Sequence, residues 1–201
     1  MQDIRSKMRF HVNEQYYDKM KKKVDAMQPL TFGTPISVLL ITDGLEGCAK
    51  GLKLYLSKSS DISVDLVIND PGSAVQILLE KSIDFLIIVG HMENEKNYDA
   101  VKVFDYYNRY SCAILFALLD DATLCKNSGY EVQYAYDVLA PISGFTPYMR
   151  KLYDEATKDM HTTFSPEMTR HQVRLDFIKT LEAFDESPQK AFYGFLYSRY
   201  T

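Results

Sequence analysis

The sequence predicts an α/β domain with a doubly wound sheet of five parallel strands, covering residues 36 to about 160. Two observations support this fold class. Short continuous apolar runs, such as residues 36–42 and 84–89, are typical of parallel strands that are buried on both faces. Amphipathic stretches separate these runs, and helices that connect parallel strands by right-handed crossovers cover both faces of a sheet.

The predicted elements follow one another in a regular rhythm. Strands are expected at residues 36–42, 62–68, 84–89 and 112–119, and a fifth strand within residues 131–140. Helices are expected at residues 45–58, 71–81, 97–110 and 146–160, with a short helical segment near 122–127. The pair Asp70-Pro71 is a typical helix start, since the acid caps the first turn and proline suits the first helical position.

Further helices are predicted on both sides of this core. Residues 3–28 have apolar side chains at three- and four-residue steps, and residues 166–185 have a similar stripe, followed by an aromatic tail at 189–200. We therefore expect three regions. They are an N-terminal helix and linker at 1–34, the α/β domain at 35–160 and a C-terminal helical extension at 161–201.

Composition and charge exclude several classes of function. Residues 1–34 hold seven Lys and Arg against four Asp and Glu, whereas residues 35–145 hold eight against fifteen. An acidic core argues against a nucleic-acid surface, and residues 161–201 lack an Arg-rich recognition helix, so a DNA-binding regulator is disfavoured.

The longest apolar runs are too short to cross a bilayer, and the N-terminus lacks a signal-peptide pattern. Three cysteines without paired spacing indicate neither a disulfide framework nor a zinc site, and fit a reducing cytoplasm.

The ends of the predicted strands carry the candidate functional residues, because ligands of open α/β sheets bind there. Across residues 36–158 the order and spacing of the elements resemble the response-regulator receiver family, with residues 83–88 and 137–141 as the most specific local matches. The resemblance implies a flavodoxin-like sheet with strand order 2-1-3-4-5. It also implies a bacterial signalling protein.

The same resemblance assigns roles to positions, and most of the required residue types are missing. The two acids of the family fall on Thr42 and Asp43, and its phospho-accepting aspartate falls on Val89. Its Thr or Ser switch falls near Leu118 or Leu119. Its lysine falls on Ala140, whereas Pro141, which follows a cis peptide bond in the family, is retained.

These substitutions predict a degenerate receiver rather than an enzyme. Aspartyl phosphorylation needs a carboxylate nucleophile, a magnesium ion held by carboxylates and a cation beside the phosphoryl group. We expect no cofactor, no metal and no catalytic residue. The expected activity is a regulatory contact with a protein partner, or a homodimer formed through the terminal helices.

Alternatives remain open for several residues. Asp43, His91 and Asp120, with the neighbouring Asp121, could instead form a small-molecule site in the strand-end crevice, as in a sensor or an enzyme. A loop histidine and helix-capping aspartates are the commoner interpretation of these residues. Cys48 lies early in a helix, where amides lower a thiol pKa, but free cysteines are more often buried structural residues.

Overall fold

A computed structural model describes residues 2–28, 30–42, 44–90, 97–107, 111–118 and 134–158. Within these ranges, the side chains of residues 2–10, 97–98 and 106–107 are not described. The segments predicted at 122–127 and 166–185 and the aromatic tail lie outside the described residues.

The described strands form one parallel sheet, as predicted. They are β1 (Ile36–Thr42), β2 (Ile62–Ile68), β3 (Phe85–Val89), β4 (Cys112–Ala117) and β5 (Tyr134–Asp137). Their order across the sheet is β2-β1-β3-β4-β5, and every neighbouring pair is parallel. This is the flavodoxin-like order, in which the direction of winding changes between β1 and β3.

Helices cover both faces of the sheet. They are α1 (Gln2–Val24), α2 (Glu46–Leu56), α3 (Pro71–Glu80), α4 (Asn97–Tyr107) and α5 (Phe145–Thr157), the last preceded by a 3₁₀ turn at Ile142–Gly144. Successive strand residues point to opposite faces, so Leu40 joins the core beneath α1, α2 and α5, whereas Leu39 joins the core beneath α3 and α4. Burial of each such side chain contributes about 1.5–3 kcal/mol, which explains why the strands read as continuous apolar runs.

Several predicted boundaries differ from the structure by one to four residues; β4, for example, ends at Ala117 rather than at residue 119. The first helix ends at Val24 rather than at residue 28, after three consecutive lysines in its last turn. Within the stretch predicted to contain the fifth strand, 131–140, β5 ends at Asp137, because the Asp137 side chain accepts a hydrogen bond from the backbone N of Leu139 (2.9 Å). The backbone N of Ala140 then donates to the carbonyl of Asp137 (3.0 Å), and the chain turns out of the sheet.

The N-terminal helix α1 packs on α2, and two glycines of α2 make this close contact possible. A Cβ atom on Gly47 would lie 2.1 Å from the carbonyl oxygen of Asn13, and one on Gly51 would lie 2.8 Å from Cδ1 of Tyr16. Residues four apart lie on the same face of a helix. Gly47 and Gly51 therefore form a shallow groove on α2 against which α1 packs, called the glycine groove below.

Asn13 also caps α2. The residue that precedes α2, Leu45, makes no side-chain capping hydrogen bond. Instead Oδ1 of Asn13 accepts hydrogen bonds from the backbone N of Gly47 (2.7 Å) and of Cys48 (3.2 Å). The first amides of a helix have no partner within the helix, so a side chain from α1 satisfies two of them.

The apolar face of α1, as far as its side chains are described, is used within the domain. Met20 and Val24 are buried, and Val12 and Tyr16 pack against the same core. The exposed face carries Tyr17, which is 37% exposed, and the lysines of the last turns.

Asp61, immediately before β2, holds the segment that connects α1 to β1. Its Oδ2 accepts hydrogen bonds from the backbone N of Phe32 (2.7 Å) and of Gly33 (2.6 Å). Partial burial by itself would raise the pKa of Asp61, but the hydrogen bonds from Ser59 and these two amides outweigh it, so the pKa lies below its usual value. Arg150 of α5 lies over the Phe32 ring, with Cζ 4.8 Å from its centre. The connection is therefore fixed at a point close to β1.

Candidate functional site

The carboxyl ends of β1 and β3 are joined by the side chain of Thr42. Its hydroxyl donates a hydrogen bond to the carbonyl of Val89 (2.8 Å) and accepts one from the backbone N of Leu45 (3.1 Å). Thr42 is buried, with 2% of its surface exposed. Thr42, to which the receiver resemblance assigns an acid, thus carries a hydroxyl that links two strands and the start of α2.

Leu45 packs over the end of β3. Gly90 has a φ of +82°, and a Cβ atom there would lie 2.8 Å from Cδ1 of Leu45. A side chain at residue 90 would therefore meet both an unfavourable backbone conformation and the Leu45 side chain. Leu45 and Val89 are both buried. The described part of the crevice between β1 and β3 is thus lined by apolar groups, which lends no support to a small-molecule site at this point.

The remaining predicted pocket residues lie in different surroundings. Leu118 is partly buried directly after β4, Ala140 is partly exposed and Pro141 is exposed. The described part of the chain has no cis peptide bond, so the Ala140–Pro141 bond is trans, unlike the bond that the receiver resemblance implies. The carbonyl of Pro141 accepts a hydrogen bond from the hydroxyl of Tyr136 (2.8 Å). Ala140 and Pro141 face α1 across a separate cavity.

Four predicted site residues, Asp43, His91, Asp120 and Asp121, lie outside the described residues, as does Leu119. Among the residues that are described, no group of three or more His, Cys, Asp or Glu side chains could hold a metal ion. In the same part of the chain, no helix combines the length and apolar character needed to span a membrane.

Two polar residues near the strand ends were not singled out from the sequence. Asn69 follows β2 in the left-handed conformation (φ 53°), which asparagine tolerates, and its backbone N donates to the carbonyl of Thr42 (2.9 Å). Asp99 in the first turn of α4 has no exposed surface, and Lys102 Nζ lies 3.5 Å from its Oδ1. An acid early in a helix is an ordinary sequence feature, so its burial could be found only from the packing.

An aromatic cluster lies between α1, the sheet and α5. The Tyr16 and Phe116 ring centres are 6.2 Å apart in an edge-to-face arrangement, and Phe145 lies 5.2 Å from Phe116 and 5.0 Å from Tyr136. Burial raises the pKa of Tyr16 above its ordinary range, and the nearby Cys48 and Tyr136 raise it further. Burial also raises the pKa of Cys48 to about 12. Cys48 is therefore a buried structural residue, and its thiol is not activated by the helix start.

Comparisons with known proteins give structural likeness only. No protein-family model matches the chain, and no curated protein matches it significantly. It is similar to the solved structure of an adenylate cyclase from Rhodopirellula baltica, at 15% identity and a TM-score of 0.48, over 64% of this chain and 97% of that chain. It is also similar to a CheY-like response regulator receiver domain protein from Methanospirillum hungatei JF-1, at 12% identity and a TM-score of 0.48, over 62% and 98% of the two chains.

A third solved structure, the receiver domain of the Francisella response regulator 1452, matches at 15% identity and a TM-score of 0.43, over 59% of this chain and 97% of that chain. The fold assignment itself rests on the strand order of this chain. That order and the alternation of strands and helices define a flavodoxin-like, doubly wound domain with an additional N-terminal helix.

Proposed function

We propose that this protein is a degenerate receiver, a regulatory signalling domain of the cytoplasm that acts by binding proteins and is not phosphorylated on aspartate. The main support for this proposal is the Thr42 side chain at the end of β1. Its hydroxyl is engaged by Val89 and Leu45 at the point where phosphotransfer would require a carboxylate that binds magnesium.

The chemistry of the neighbouring positions supports the same proposal. Val89 offers a buried aliphatic group in place of a nucleophilic carboxylate. Ala140 offers a methyl group in place of the ammonium group that would offset phosphoryl charge. Of the acids assigned by the resemblance, only Asp43 remains, and one carboxylate is a poor ligand set for magnesium.

The test is phosphorylation of the full-length protein with acetyl phosphate and Mg²⁺, followed by intact-mass analysis. An authentic receiver domain treated in parallel serves as the positive control. We expect no phosphoryl adduct, and no movement of the Thr42 and Gly90 amide signals when beryllofluoride and Mg²⁺ are added. An adduct on any aspartate would refute the proposal, whether or not it disappears in the Asp43→Asn variant.

We propose that the protein forms a homodimer and that the terminal helices provide its interface. Because the described apolar face of α1 is packed on α2, its contribution would come from the exposed side around Tyr17. The predicted apolar stripe at 166–185, which includes Phe177, would supply the rest. Sedimentation of the full chain should give a dimer at micromolar concentration, and Phe177→Glu should shift it to monomer, while Lys81→Glu, beside α3 on the opposite face of the sheet, does not. A monomer at every concentration would contradict the dimer and leave the phosphorylation test unaffected.

A further inference from the structure

We propose that the cavity between α1 and the turn after β5 binds a small organic anion with an apolar body. The cavity has a volume of about 370 Å³, within the range of about 300–1,000 Å³ that is usual for ligand pockets. One wall is α1 and the other is the segment that follows β5. Its lining consists of Val12, Tyr16, Lys19, Met20, Lys23 and residues 138–142.

Apolar groups form most of its walls. Met20, Val138 and Ile142 are buried members of the core, and they present apolar surface to the base of the cavity. Leu139 also lines the cavity, and it is 61% exposed. A ligand with a hydrocarbon body would remove this surface from water, at a gain of about 25 cal/mol for each Å² buried.

The charged groups of the lining are all cationic. Lys19 and Lys23 are four residues apart and so lie on one face of α1, and the lining contains no acid. Neither lysine forms an ion pair with a residue that the structure describes. Of the nearby acids, Asp137 accepts a hydrogen bond from the backbone N of Leu139, and Glu14 and Asp18 line a neighbouring cavity on the outer face of α1 that also includes Lys19. Two ammonium groups on one wall favour a carboxylate or a phosphate, because charge-assisted hydrogen bonds are the strong ones.

Tyr16 adds a further donor. No hydrogen bond joins its hydroxyl to any of the residues that the structure describes, although the side chain is partly buried. A tyrosine hydroxyl usually finds a hydrogen-bond partner when the side chain packs into a protein. A ligand oxygen in the cavity could accept this hydrogen bond.

This cavity is separate from the strand-end pocket of a receiver. Of the residues that the resemblance assigns to that pocket, only Ala140 and Pro141 line this cavity. The helix α1 lies outside the region that resembles a receiver. This cavity is more enclosed than the cavities at the outer face of α1 and beside α5, which favours a small molecule over an extended peptide. Ligand binding in this cavity is independent of phosphorylation at the strand ends.

The experiment is an NMR titration of full-length protein carrying ¹³C-methyl methionine. Met20 lines the cavity, whereas Met149 is buried in α5 and serves as the internal control. The probes are octanoate, octyl phosphate and octan-1-ol, which share a chain and differ in the head group. We expect a saturable shift of the Met20 methyl signal with at least one of the two anions, a much weaker response to octan-1-ol, and no shift of Met149.

Matched variants test the role of the two lysines. Lys19→Gln combined with Lys23→Gln should raise the Kd of the bound anion by about tenfold or more. Lys21→Gln combined with Lys22→Gln removes the same charge from exposed positions of the same helix that do not line the cavity, and it should change the Kd by less than about twofold. Equal weakening by both pairs, equal binding of octan-1-ol, or no Met20 response would overturn the proposal.

Discussion

Replacing Gly47 with alanine should destabilise the protein, although the same change in an exposed helix would stabilise it. Alanine is favoured over glycine by about 1 kcal/mol in a helix interior. At Gly47, however, the new Cβ would lie 2.1 Å from the carbonyl oxygen of Asn13, and real Cβ contacts are essentially never shorter than 3.0 Å. The neighbouring atom is backbone, so α1 or α2 must shift, by about 0.9 Å to reach that limit.

The size of the stability loss can be worked out from the packing and the hydrogen bonds that this shift disturbs. Overpacking of this kind typically costs about 1–3 kcal/mol. Moving Asn13 also weakens its hydrogen bonds to the Gly47 and Cys48 amides, and loss of a helix cap costs about 0.5–2 kcal/mol. After the gain in helix propensity is subtracted, we expect a net loss of about 2 kcal/mol. For a chain of this size that corresponds to a fall in Tm of about 4–8 °C.

The assay is urea and thermal unfolding followed by circular dichroism. Lys50→Ala on the exposed side of α2 is the control and should stay within about 0.5 kcal/mol of the wild type. Asn13→Ala should cost about 1 kcal/mol. The double variant of Gly47 and Asn13 should lose less than the sum of the two single losses, because both disturb the same cap. If Gly47→Ala instead raises the free energy of unfolding by about 1 kcal/mol, α1 does not pack against the glycine groove.

Two further perturbations test the links at β1 and β2. Thr42→Val keeps the side-chain shape but removes a buried hydroxyl with two hydrogen bonds, so it should lower the free energy of unfolding in urea by about 1–3 kcal/mol. Thr42→Ser should retain more of the stability. A valine variant as stable as the wild type would show that the Thr42 hydrogen bonds do not stabilise the fold. The pKa of Asp61 is lowered in the folded state, so its stabilising effect is complete above the unfolded pKa of about 3.9 and is lost as the pH falls through the folded value. The advantage of the wild type over Asp61→Asn in unfolding free energy should therefore be present at pH 7 and shrink below about pH 4, and a difference that does not change with pH would contradict this role.

Local patterns in the sequence predicted most of the individual elements. The bounds of β2 agree with the prediction, and Asp70 caps α3 by accepting a hydrogen bond from the backbone N of Ser73 (3.1 Å). Such signals depend on neighbouring residues alone, which is why they can be found without tertiary information. The strand order was different in kind, since it followed from the resemblance to receivers and the structure confirms it.

The packing of α1 could not be predicted in the same way. Its apolar periodicity indicated a helix with one buried face, but it did not identify the surface that covers that face. The available signal was the pair Gly47 and Gly51, which taken alone only weakens a helix. Their meaning depends on Asn13 and Tyr16, which are distant in the sequence and adjacent only in the folded chain.

The sequence by itself determined which chemical groups are present at the strand ends: a threonine at 42, a valine at 89 and an alanine at 140. Only the tertiary structure decided what they do. The Thr42 hydroxyl links β1 to β3, while Ala140 lies beside a cavity lined by α1. The physical reason is that side-chain identity is local, whereas hydrogen-bond partners and cavities are set by elements that come together from distant parts of the chain.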